Sequence, residues 1–453
     1  MELKGMHIVV FGLGRTGEAL VRFLLDRGAR VSVTDSRPAH LVGKPAERIA
    51  SLPVSMQLGG HDEKIVESAD WIVLSPGVPH TLSVLERAAR AGIPVIGEIE
   101  LASRFVDEPI VAITGTNGKS TVTRLVGRML EYSGLSIFLG GNLGRPLIDY
   151  VAEAKPADAV VIEVSSFQLD TIVHFRPSVG VLLNISPDHL DRYPDFGAYA
   201  ASKARVFENQ LASDTAVVNA ADETVMRMSV NAKSRLCTFN DADFKPCSAL
   251  VSDTEIRISF PDTDSLVIPA NRVPLAGRHN LENTAAAALA ALAAGASREG
   301  IMASLGGFVP DPHRLEQVAI IKDVAYYDDS KATNVDAAVR AIESMRGPVI
   351  LIAGGRDKFG GYEALRKPVE RRVKAVIVLG EAADAILETL CDVAEVRHAD
   401  TMAEAVEEAS RIAAPGDAVL LSPACSSFDM YENYEARGDD FARAVRSLDK
   451  MVV

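Results

Sequence analysis

The sequence lacks a long apolar segment. Its longest apolar run, Ala285 to Ala296, is well short of the roughly 18 residues that a membrane-spanning helix needs. The short apolar run near the N-terminus leads directly into a glycine loop, without the cleavage pattern of a signal peptide. These observations predict a soluble, cytoplasmic protein that has no membrane partner.

Positive charge is also in short supply. Lys and Arg number 47 against 61 Asp and Glu, which gives a formal net charge of −14. A strongly acidic protein repels a phosphate backbone, and nucleic acid is therefore not expected as a partner. Small anionic ligands stay possible, because they need only a few local positive groups.

Cysteine is scarce and follows no motif. The four residues Cys237, Cys247, Cys391 and Cys425 contain no C-x-x-C pair. We therefore predict neither a zinc site nor a disulfide framework, which suits a reducing compartment. The cysteines are expected to be small, buried hydrophobic side chains.

What the chain does have is a regular alternation of strand and helix patterns. Runs rich in Val and Ile, such as His7–Phe11 and Ile110–Ile113, are separated by helical patterns, which is typical of parallel sheets buried on both faces. The segment Phe239–Asn271 lacks this alternation and indicates a small antiparallel sheet. The length of the whole chain, 453 residues, predicts roughly two to four domains. Pro-containing breaks near Val106–Pro109 and Val309–Pro312 give the predicted domains 1–107, 108–309 and 310–453.

A first glycine-rich loop, Gly12 to Gly17, reads GLGRTG between a predicted strand and a predicted helix. Asp35 follows at the end of the second strand, where a ribose-binding carboxylate would lie. Taken alone, this pattern indicates an NAD-dependent dehydrogenase. The loop fits any diphosphate at a helix N-terminus equally well, and a tight turn without a ligand is also possible.

A second glycine-rich loop, Thr114 to Thr121, reads TGTNGKST after a predicted strand. Its backbone N–H groups can surround phosphates, Lys119 can reach the β- and γ-phosphates, and Ser120 can hold Mg²⁺. The sequence therefore predicts a nucleoside triphosphate site.

Further polar residues follow the neighbouring strands. Glu163 comes directly after a buried strand, where P-loop enzymes place a carboxylate for Mg²⁺. His189 lies between two aspartates and could join a Mg²⁺ or substrate site, although a solvated loop histidine is the alternative. Lys203 by itself is an ordinary helical lysine. Lys358, in AGGRDK, follows another strand and could contact an anion or belong to a plain turn.

In combination, these motifs resemble those of the Mur ligases, the ATP-dependent amino-acid ligases of peptidoglycan synthesis. The similar segments are TGTNGKST, EVSSFQL, NISPDHLDRYP, AYAASKARVFE, GRHNLENTAAA, PHRLE, YYDDSKATN, AGGRDK and LSPACSSFDMYENYEARG. They occur in order from Phe11 to Phe441. DDSKATN and SPACSSFD are typical of the branch that adds D-glutamate.

The resemblance implies an α/β protein of three domains. These are a Rossmann-like UDP-sugar-binding domain (1–107), a central P-loop-type ATPase domain with a mostly parallel sheet and a small antiparallel sheet (108–309), and a Rossmann-like amino-acid-binding domain (310–453). The implied reaction joins D-glutamate to UDP-N-acetylmuramoyl-L-alanine. ATP first converts the substrate carboxylate to an acyl phosphate, which the amine of D-glutamate then attacks. Two Mg²⁺ ions are implied as cofactors.

The resemblance also assigns roles to particular residues. The catalytic group is Lys119, Glu163, His189 and Lys203. Ser120 and Glu163 would hold one Mg²⁺, and His189 and a carbamylated Lys203 would hold the other. The ATP-binding set is Gly115, Thr116, Asn117, Gly118, Lys119, Ser120, Thr121, Asn280, Asn283, Arg314 and Asp329. The UDP-sugar set is Arg15, Thr16, Asp35, Ser36, Arg37, Ser75, Gly77, Asn142 and His189. The D-glutamate set is Lys331, Thr333, Lys358, Ser427, Phe428 and Tyr434.

Other functions account for fewer of these features. A dehydrogenase explains the first loop and nothing after Gly115. Another Mur-type ligase or a folylpolyglutamate-type ligase would share the ATPase motifs but is not expected to combine DDSKATN with SPACSSFD. A non-catalytic UDP-sugar sensor would not need Lys119, Glu163 and His189 together. A monomer is expected, because the sequence contains no coiled-coil pattern.

Overall fold

The computed structural model describes residues 1–153, 155–261, 263–275, 277–309, 311–357 and 361–450, without the side chains of 449 and 450. The strands are β1 His7–Phe11, β2 Arg30–Asp35, β3 Val54–Leu58, β4 Trp71–Leu74, β5 Val95–Gly97, β6 Ile110–Thr114, β7 Ile137–Gly141, β8 Ala159–Glu163, β9 Val179–Leu182, β10 Thr215–Asn219, β11 Arg235–Phe239, β12 Ser248–Val251, β13 Glu255–Ser259, β14 Leu266–Pro269, β15 Glu316–Ile321, β16 Val324–Asp328, β17 Val349–Gly354, β18 Val373–Leu379, β19 Glu395–His398 and β20 Ala418–Leu421.

The α-helices lie between these strands, as the sequence pattern predicts. They are α1 Arg15–Asp26, α2 Ala39–Val42, α3 Lys44–Ile49, α4 Glu63–Glu67, α5 Ser83–Arg90, α6 Glu98–Ser103, α7 Lys119–Tyr132, α8 Leu147–Glu153, α9 Ser166–Leu169, α10 Phe196–Ala204, α11 Glu223–Ser229, α12 Arg278–Ala293, α13 Arg298–Ser304, α14 Val335–Ser344, α15 Arg366–Arg372, α16 Ala383–Leu390, α17 Met402–Ile412 and α18 Tyr434–Lys450. Short 3₁₀ segments occur at Arg205–Phe207, Ala270–Arg272 and Tyr362–Leu365.

The described residues form three sheets. The first has the order β3-β2-β1-β4-β5 and is parallel throughout. The second has the order β14-β13-β12-β11-β10-β9-β6-β8-β7 and is parallel except where β12, β13 and β14 pair antiparallel. The third has the order β15-β16-β20-β17-β18-β19, with β15 antiparallel to β16. The predicted α/β class is thus confirmed, including the small antiparallel part within Phe239–Asn271.

Contacts group the chain into two compact units. The first comprises Met1–Ile185, Gly197–Pro274 and Leu281–Gly307 and contains the first two sheets. The second comprises Ser186–Phe196, Leu275–Asn280 and Phe308–Val453 and contains the third sheet. The finer division into domains 1–107, 108–309 and 310–453 stays a prediction.

Apolar strands and helix faces form the cores of both units. In the first unit, Ala285 to Ala291 of α12, which lie in the longest apolar run of the sequence, are completely buried. In the second unit, β17, β18 and β20 are buried along nearly their whole length, since helices cover both faces of a parallel sheet. No helix among the described residues is both long and apolar enough to cross a bilayer.

The cysteine prediction is wrong in two respects. Cys237 and Cys247 form a disulfide, with their Cα atoms 4.7 Å apart. The reason is the strand register: β11 and β12 are parallel neighbours that pair Thr238 with Ser248, so the two preceding residues also lie side by side. A spacing of ten residues does not reveal this pairing in the sequence. Of the free cysteines, Cys425 is buried as expected, but Cys391 is exposed.

Candidate functional site

The phosphate-type loop joins β6 to α7. Helix α7 begins at Lys119, directly after Gly118, whose φ of 85° is in the left-handed region. A Cβ at Gly118 would lie 2.5 Å from Oδ1 of Asn283, so only glycine fits between the loop and α12. The chain therefore turns tightly from the loop into the N-terminus of α7, the end of a helix that favours an anion. Nζ of Lys119 donates to the carbonyl oxygens of Gly115 and Thr116 at 3.0 and 2.8 Å.

A buried carboxylate lies beside this loop at the end of β8. Oγ of Ser120 donates to Oε2 of Glu163 at 2.6 Å, and Nδ2 of Asn142 donates to Oε1 at 2.7 Å. Ser120 and Glu163 are 6% and 4% exposed. The described residues contain no group of three or more His, Cys, Asp or Glu side chains arranged for a metal ion. A hydroxyl and one carboxylate nevertheless suit Mg²⁺, which typically uses one or two protein oxygens together with substrate phosphates.

Lys203, near the end of α10, lies in the same region. Its side chain is almost completely buried, and Nζ donates to the carbonyl oxygen of Gly115 at 2.8 Å and lies 4.7 Å from the centre of the Tyr199 ring. The Tyr199 hydroxyl in turn is 3.1 Å from Oγ1 of Thr116. A lysine amine buried beside a phosphate loop is unusual, since burial penalises its charge. The sequence alone does not distinguish this lysine from a solvated one.

Asn184, which the sequence analysis did not select, also supports the loop. Its Oδ1 accepts from the backbone N–H of Asn117 at 2.8 Å, and its Nδ2 donates to the carbonyl oxygen of Asn117 at 3.0 Å. The carbonyl oxygen of Asn184 accepts from the N–H of Thr116 at 2.9 Å. Two signals were available: its place just after β9, the parallel neighbour of β6, and its position as the first residue of NISPDHLDRYP.

A second cavity, of about 620 Å³, opens where the order of the first sheet reverses between β1 and β4. Such a reversal is the usual ligand-binding position in an open parallel sheet. The structure brings eight of the nine predicted UDP-sugar residues to its wall: Arg15, Thr16, Asp35, Ser36, Arg37, Ser75, Gly77 and Asn142. The ninth, His189, lies in the second unit. The glycine loop is tightly closed, because a Cβ at Gly17 would lie 2.0 Å from the carbonyl oxygen of Gly12.

Asp35 organises one wall of this cavity. Its carboxylate accepts from the N–H of Leu13 at 2.8 Å and from the N–H of Arg37 at 2.9 Å, and it pairs with the Arg37 guanidinium at 2.8 Å. Burial opposes ionisation of Asp35, but these hydrogen bonds hold its pKa below the usual value. His61, a lining residue that the sequence analysis missed, stacks on Phe11, and burial lowers its pKa.

In the second unit, candidate residues follow the carboxyl ends of β16 and β20. Lys331 and Thr333 come after β16, Ser427 and Phe428 come after β20, and Tyr434 begins α18. Nζ of Lys331 lies 3.7 Å from the centre of the Tyr434 ring. Ser427 is buried and Phe428 is exposed. Lys358 lies outside the described residues, so the structure does not bear on it.

Arg437 holds these loops together and was not selected from the sequence. Its buried guanidinium donates to the carbonyl oxygens of Ser330 and Cys425 at 2.9 and 3.1 Å, and to that of Gly354 at 3.4 Å. These three acceptors follow or end β16, β20 and β17. Burial lowers the pKa of Arg437 to about 10. One side chain thus ties together three strand ends.

The remaining nucleotide candidates are divided between the units. Asn283 lies in the first unit, and Asn280, Arg314 and Asp329 lie in the second, as does His189. Oδ2 of Asp329 accepts from Oγ of Ser422 at 3.1 Å, and burial raises the pKa of Asp329 to about 7.

These features are typical of a nucleotide-binding α/β protein with a phosphate loop after a central parallel strand. Three family descriptions match the chain in order: "Mur ligase MurD-like, N-terminal domain" at residues 6–97, "Mur ligase middle domain" at 113–291, and "Mur ligase, glutamate ligase domain" at 313–425. The chain belongs to the Mur ligase family.

Curated relatives agree over the whole length. A UDP-N-acetylmuramoylalanine–D-glutamate ligase of Desulfosudis oleivorans is 50% identical over 99% of this chain and 98% of its own. The protein of the same name from Desulfatibacillum aliphaticivorans is 48% identical over 99% of this chain and all of its own.

Solved structures show the same fold at low identity. MurF from Acinetobacter baumannii has a TM-score of 0.63 and 18% identity, covering 98% of this chain and 91% of its own. A pseudomurein peptide ligase type C from Methanothermus fervidus has a TM-score of 0.62 and 21% identity, covering 98% of this chain and 100% of its own.

Proposed function

We propose that the protein is an ATP-dependent ligase that joins D-glutamate to UDP-N-acetylmuramoyl-L-alanine. The observation that carries the proposal is the position of Asn142, which lines the 620 Å³ cavity and also donates to Glu163 beside the phosphate loop. A UDP-sugar in the cavity and a triphosphate at the loop would therefore be bound on the two sides of the contact between Asn142 and Glu163. The name and full-length similarity of the curated relatives support the same activity.

The phosphate loop would bind and orient ATP. Lys119, whose ammonium now donates to two loop carbonyls, would turn to the β- and γ-phosphates, and the N–H groups of the loop would surround them. Asn283 packs against Gly118 and is placed to support the nucleotide. Asn280, Arg314 and Asp329 are the proposed remaining nucleotide residues, carried over from the family resemblance.

Mg²⁺ fits the oxygen donors beside the loop. Ser120 and Glu163 would hold one ion, and the family resemblance assigns a second to His189 and carbamylated Lys203. When bound, Mg²⁺ neutralises phosphate charge during transfer. Carbamylation would turn the buried amine of Lys203 into an anionic oxygen ligand, which gives a reason for burying a lysine there.

The proposed chemistry has two steps. An oxygen of the substrate carboxylate attacks the γ-phosphorus, the bond to the β-phosphate oxygen breaks, and ADP leaves. The amine of D-glutamate, after losing a proton from its ammonium form, then attacks the acyl carbon, and inorganic phosphate leaves. A carboxylate is a poor electrophile until one oxygen becomes a phosphate leaving group, which is why ATP is required. Orientation of the amine towards the acyl carbon would supply much of the rate acceleration of the second step.

The second unit would bind D-glutamate. The proposed residues are Lys331, Thr333, Lys358, Ser427, Phe428 and Tyr434. The support is that Lys331, Ser427 and Tyr434 all lie on segments joined or flanked by the contacts of Arg437. Because the substrates are nucleotide-activated and ATP is consumed, we propose that the protein acts in the cytoplasm. The sequence has no coiled-coil pattern, which favours a monomer.

Phosphate release from ATP and Mg²⁺ tests this proposal. Release should require both UDP-N-acetylmuramoyl-L-alanine and D-glutamate, and chelation of Mg²⁺ should abolish it. A panel of L-glutamate, L-alanine and L-lysine is the matched control for the amino acid. Equal stimulation by any of these amino acids would contradict the D-glutamate assignment. Phosphate release without a UDP-sugar would contradict the proposed ligase activity.

A further inference from the structure

Two buried carboxyl groups lie on α6, the short helix that follows the last strand of the first sheet. Glu98 and Glu100 are 1% and 0% exposed. Neither was selected from the sequence, and neither belongs to the proposed reaction. Burying a carboxyl group is costly unless hydrogen bonds or an ion pair compensate for the lost water, so each needs a physical explanation.

Glu100 is fully compensated. Its Oε2 accepts from the N–H groups of Val173, His174 and Phe175 at 2.8, 2.9 and 2.9 Å. Its Oε1 pairs with Arg104 at 2.7 Å. Glu100 thus fastens α6 to the turn before β9, and structural stability accounts for it.

Glu98 is only half compensated. Oε1 accepts from the N–H of Ile148 at 2.7 Å, but Oε2 is buried and has no hydrogen-bond partner among the described residues. Burial, with the nearby charge of Asp149, raises the pKa of Glu98 to about 7 against the opposing hydrogen bonds from Ile148 and Leu147. Asp149 itself faces Arg145 and Arg15. A buried oxygen without a partner is unfavourable, so stability alone does not account for Glu98 as it does for Glu100.

The hydrogen bonds of Glu98 lead to the first turn of α8, next to the nucleotide-sugar cavity. Ile148 is in the first turn of α8, and the segment just before α8, Gly141–Pro146, lines the cavity. That segment is closed by a bond from the N–H of Gly141 to the carbonyl oxygen of Arg145 at 2.7 Å. At its other end Asn142 bonds to Glu163 through both its side chain and its N–H, at 2.7 and 2.8 Å.

We infer that Glu98 is a positioning residue for the UDP-sugar: it anchors α8 and thereby sets the place of the segment Gly141–Pro146 in the cavity wall. The inference rests on the proposed function and deepens it. Glu98 is placed to act on the substrate only indirectly, through the first turn of α8. Removal of the Glu98 carboxyl should therefore weaken the binding of the UDP-sugar specifically and leave the binding of ATP and of D-glutamate nearly unaffected.

The test compares variants of the full-length protein in steady-state phosphate release. Glu98→Gln keeps an oxygen that accepts from Ile148, whereas Glu98→Ala and Glu98→Met do not, and the Met variant preserves most of the packing volume. We expect the KM for UDP-N-acetylmuramoyl-L-alanine to rise about fivefold or more in the Ala and Met variants. The KM for ATP and for D-glutamate should change less than about twofold, and Glu98→Gln should remain close to wild type.

Glu100→Gln is the matched control, because it makes the same change on the same helix at a carboxyl with other partners. It should lower the melting temperature and leave the KM for the UDP-sugar unchanged. The inference is overturned if Glu98→Ala and Glu98→Met leave that KM unchanged, or raise all three KM values equally. Calorimetric binding of UDP-N-acetylmuramoyl-L-alanine to the wild type separates the two proposals, since failure there contradicts the proposed function itself.

The pH dependence of unfolding checks the environment of Glu98. The folded carboxyl, with a pKa of about 7 against a usual 4.5, binds its proton more tightly than the unfolded one. The contribution of Glu98 to the free energy of unfolding is therefore fully present below about pH 4.5 and is lost as the pH rises through about 7. Glu98→Gln removes this contribution, so the wild type should lose more stability over that interval than the variant. If the free energy of unfolding depended on pH equally in the wild type and in Glu98→Gln, Glu98 would not have the buried, half-paired environment on which the inference depends, and the inference would be overturned.

Discussion

The two units build their candidate sites in different ways. In the first unit, the candidate phosphate-binding residues Gly115 to Thr121 form one continuous segment from the end of β6 into α7. In the second unit, the candidate amino-acid residues come from several strand ends that the buried Arg437 ties together. A continuous segment carries most of its geometry in its own backbone, whereas separated loops depend on a long-range contact. The comparison predicts that substitutions in the two units affect different substrates.

The largest effect is expected at the phosphate loop. Lys119→Ala should remove the positioning and neutralisation of the γ-phosphate and cost several kcal/mol in the transition state, on the order of a thousandfold in kcat. Single-turnover phosphate release is the measurement, with Lys155→Ala as a surface control. Activity within tenfold of wild type would contradict the assigned role of Lys119.

Lys203 tests whether a residue outside the continuous segment completes the first-unit site. We predict that Lys203 works as a carbamate, so that Lys203→Ala is nearly inactive. Added short carboxylic acids should partly restore its activity, because they replace the lost oxygen ligand, and the same acids should not rescue Lys119→Ala. Full activity of Lys203→Ala without added acid would identify an ordinary helical lysine.

Lys358 extends the comparison to the second unit. An ammonium that faces a carboxylate in a partly dry site contributes more than the roughly 1 kcal/mol of an exposed pair. Lys358→Ala should raise the KM for D-glutamate well over tenfold, about 2 kcal/mol, while the KM values for ATP and the UDP-sugar change much less. Varying each substrate in turn measures this. An equal rise in the KM for ATP would indicate that Lys358 binds the nucleotide instead.

Arg437 gives the smallest expected change in activity and the sharpest test of the difference between the units. Lysine keeps the charge of Arg437 but cannot reproduce a planar fork that reaches three carbonyl oxygens. Arg437→Lys should lower the melting temperature and raise the KM for D-glutamate about fivefold, with ATP binding unchanged. Arg443→Lys, on the exposed side of α18, is the control. A parallel loss of ATP binding would mean that the two sites do not depend on separate supports.

Much of this protein could be predicted from the sequence. Alternating Val- and Ile-rich strands and helices require parallel sheets, because only burial on both faces makes such strands favourable. The glycines of TGTNGKST and GLGRTG predict loops at strand ends from the local sequence, since glycine is favoured where the backbone is left-handed or closely approached. The resemblance to the Mur ligases, and to their D-glutamate-adding branch through DDSKATN, likewise came from contiguous motifs.

Tertiary structure alone decided the rest, because it depends on contacts between residues far apart in the chain. The disulfide between Cys237 and Cys247 follows from the register of two parallel strands, and the burial of Lys203 follows from the docking of α10 against the phosphate loop. Asn184 and Arg437 lie within quoted family motifs and Glu98 does not, but no motif gives their roles, since an asparagine, an arginine or a glutamate acquires its role only from the backbone groups that folding places around it. Those backbone partners lie from twelve to 107 positions away in the sequence, beyond the reach of any local pattern.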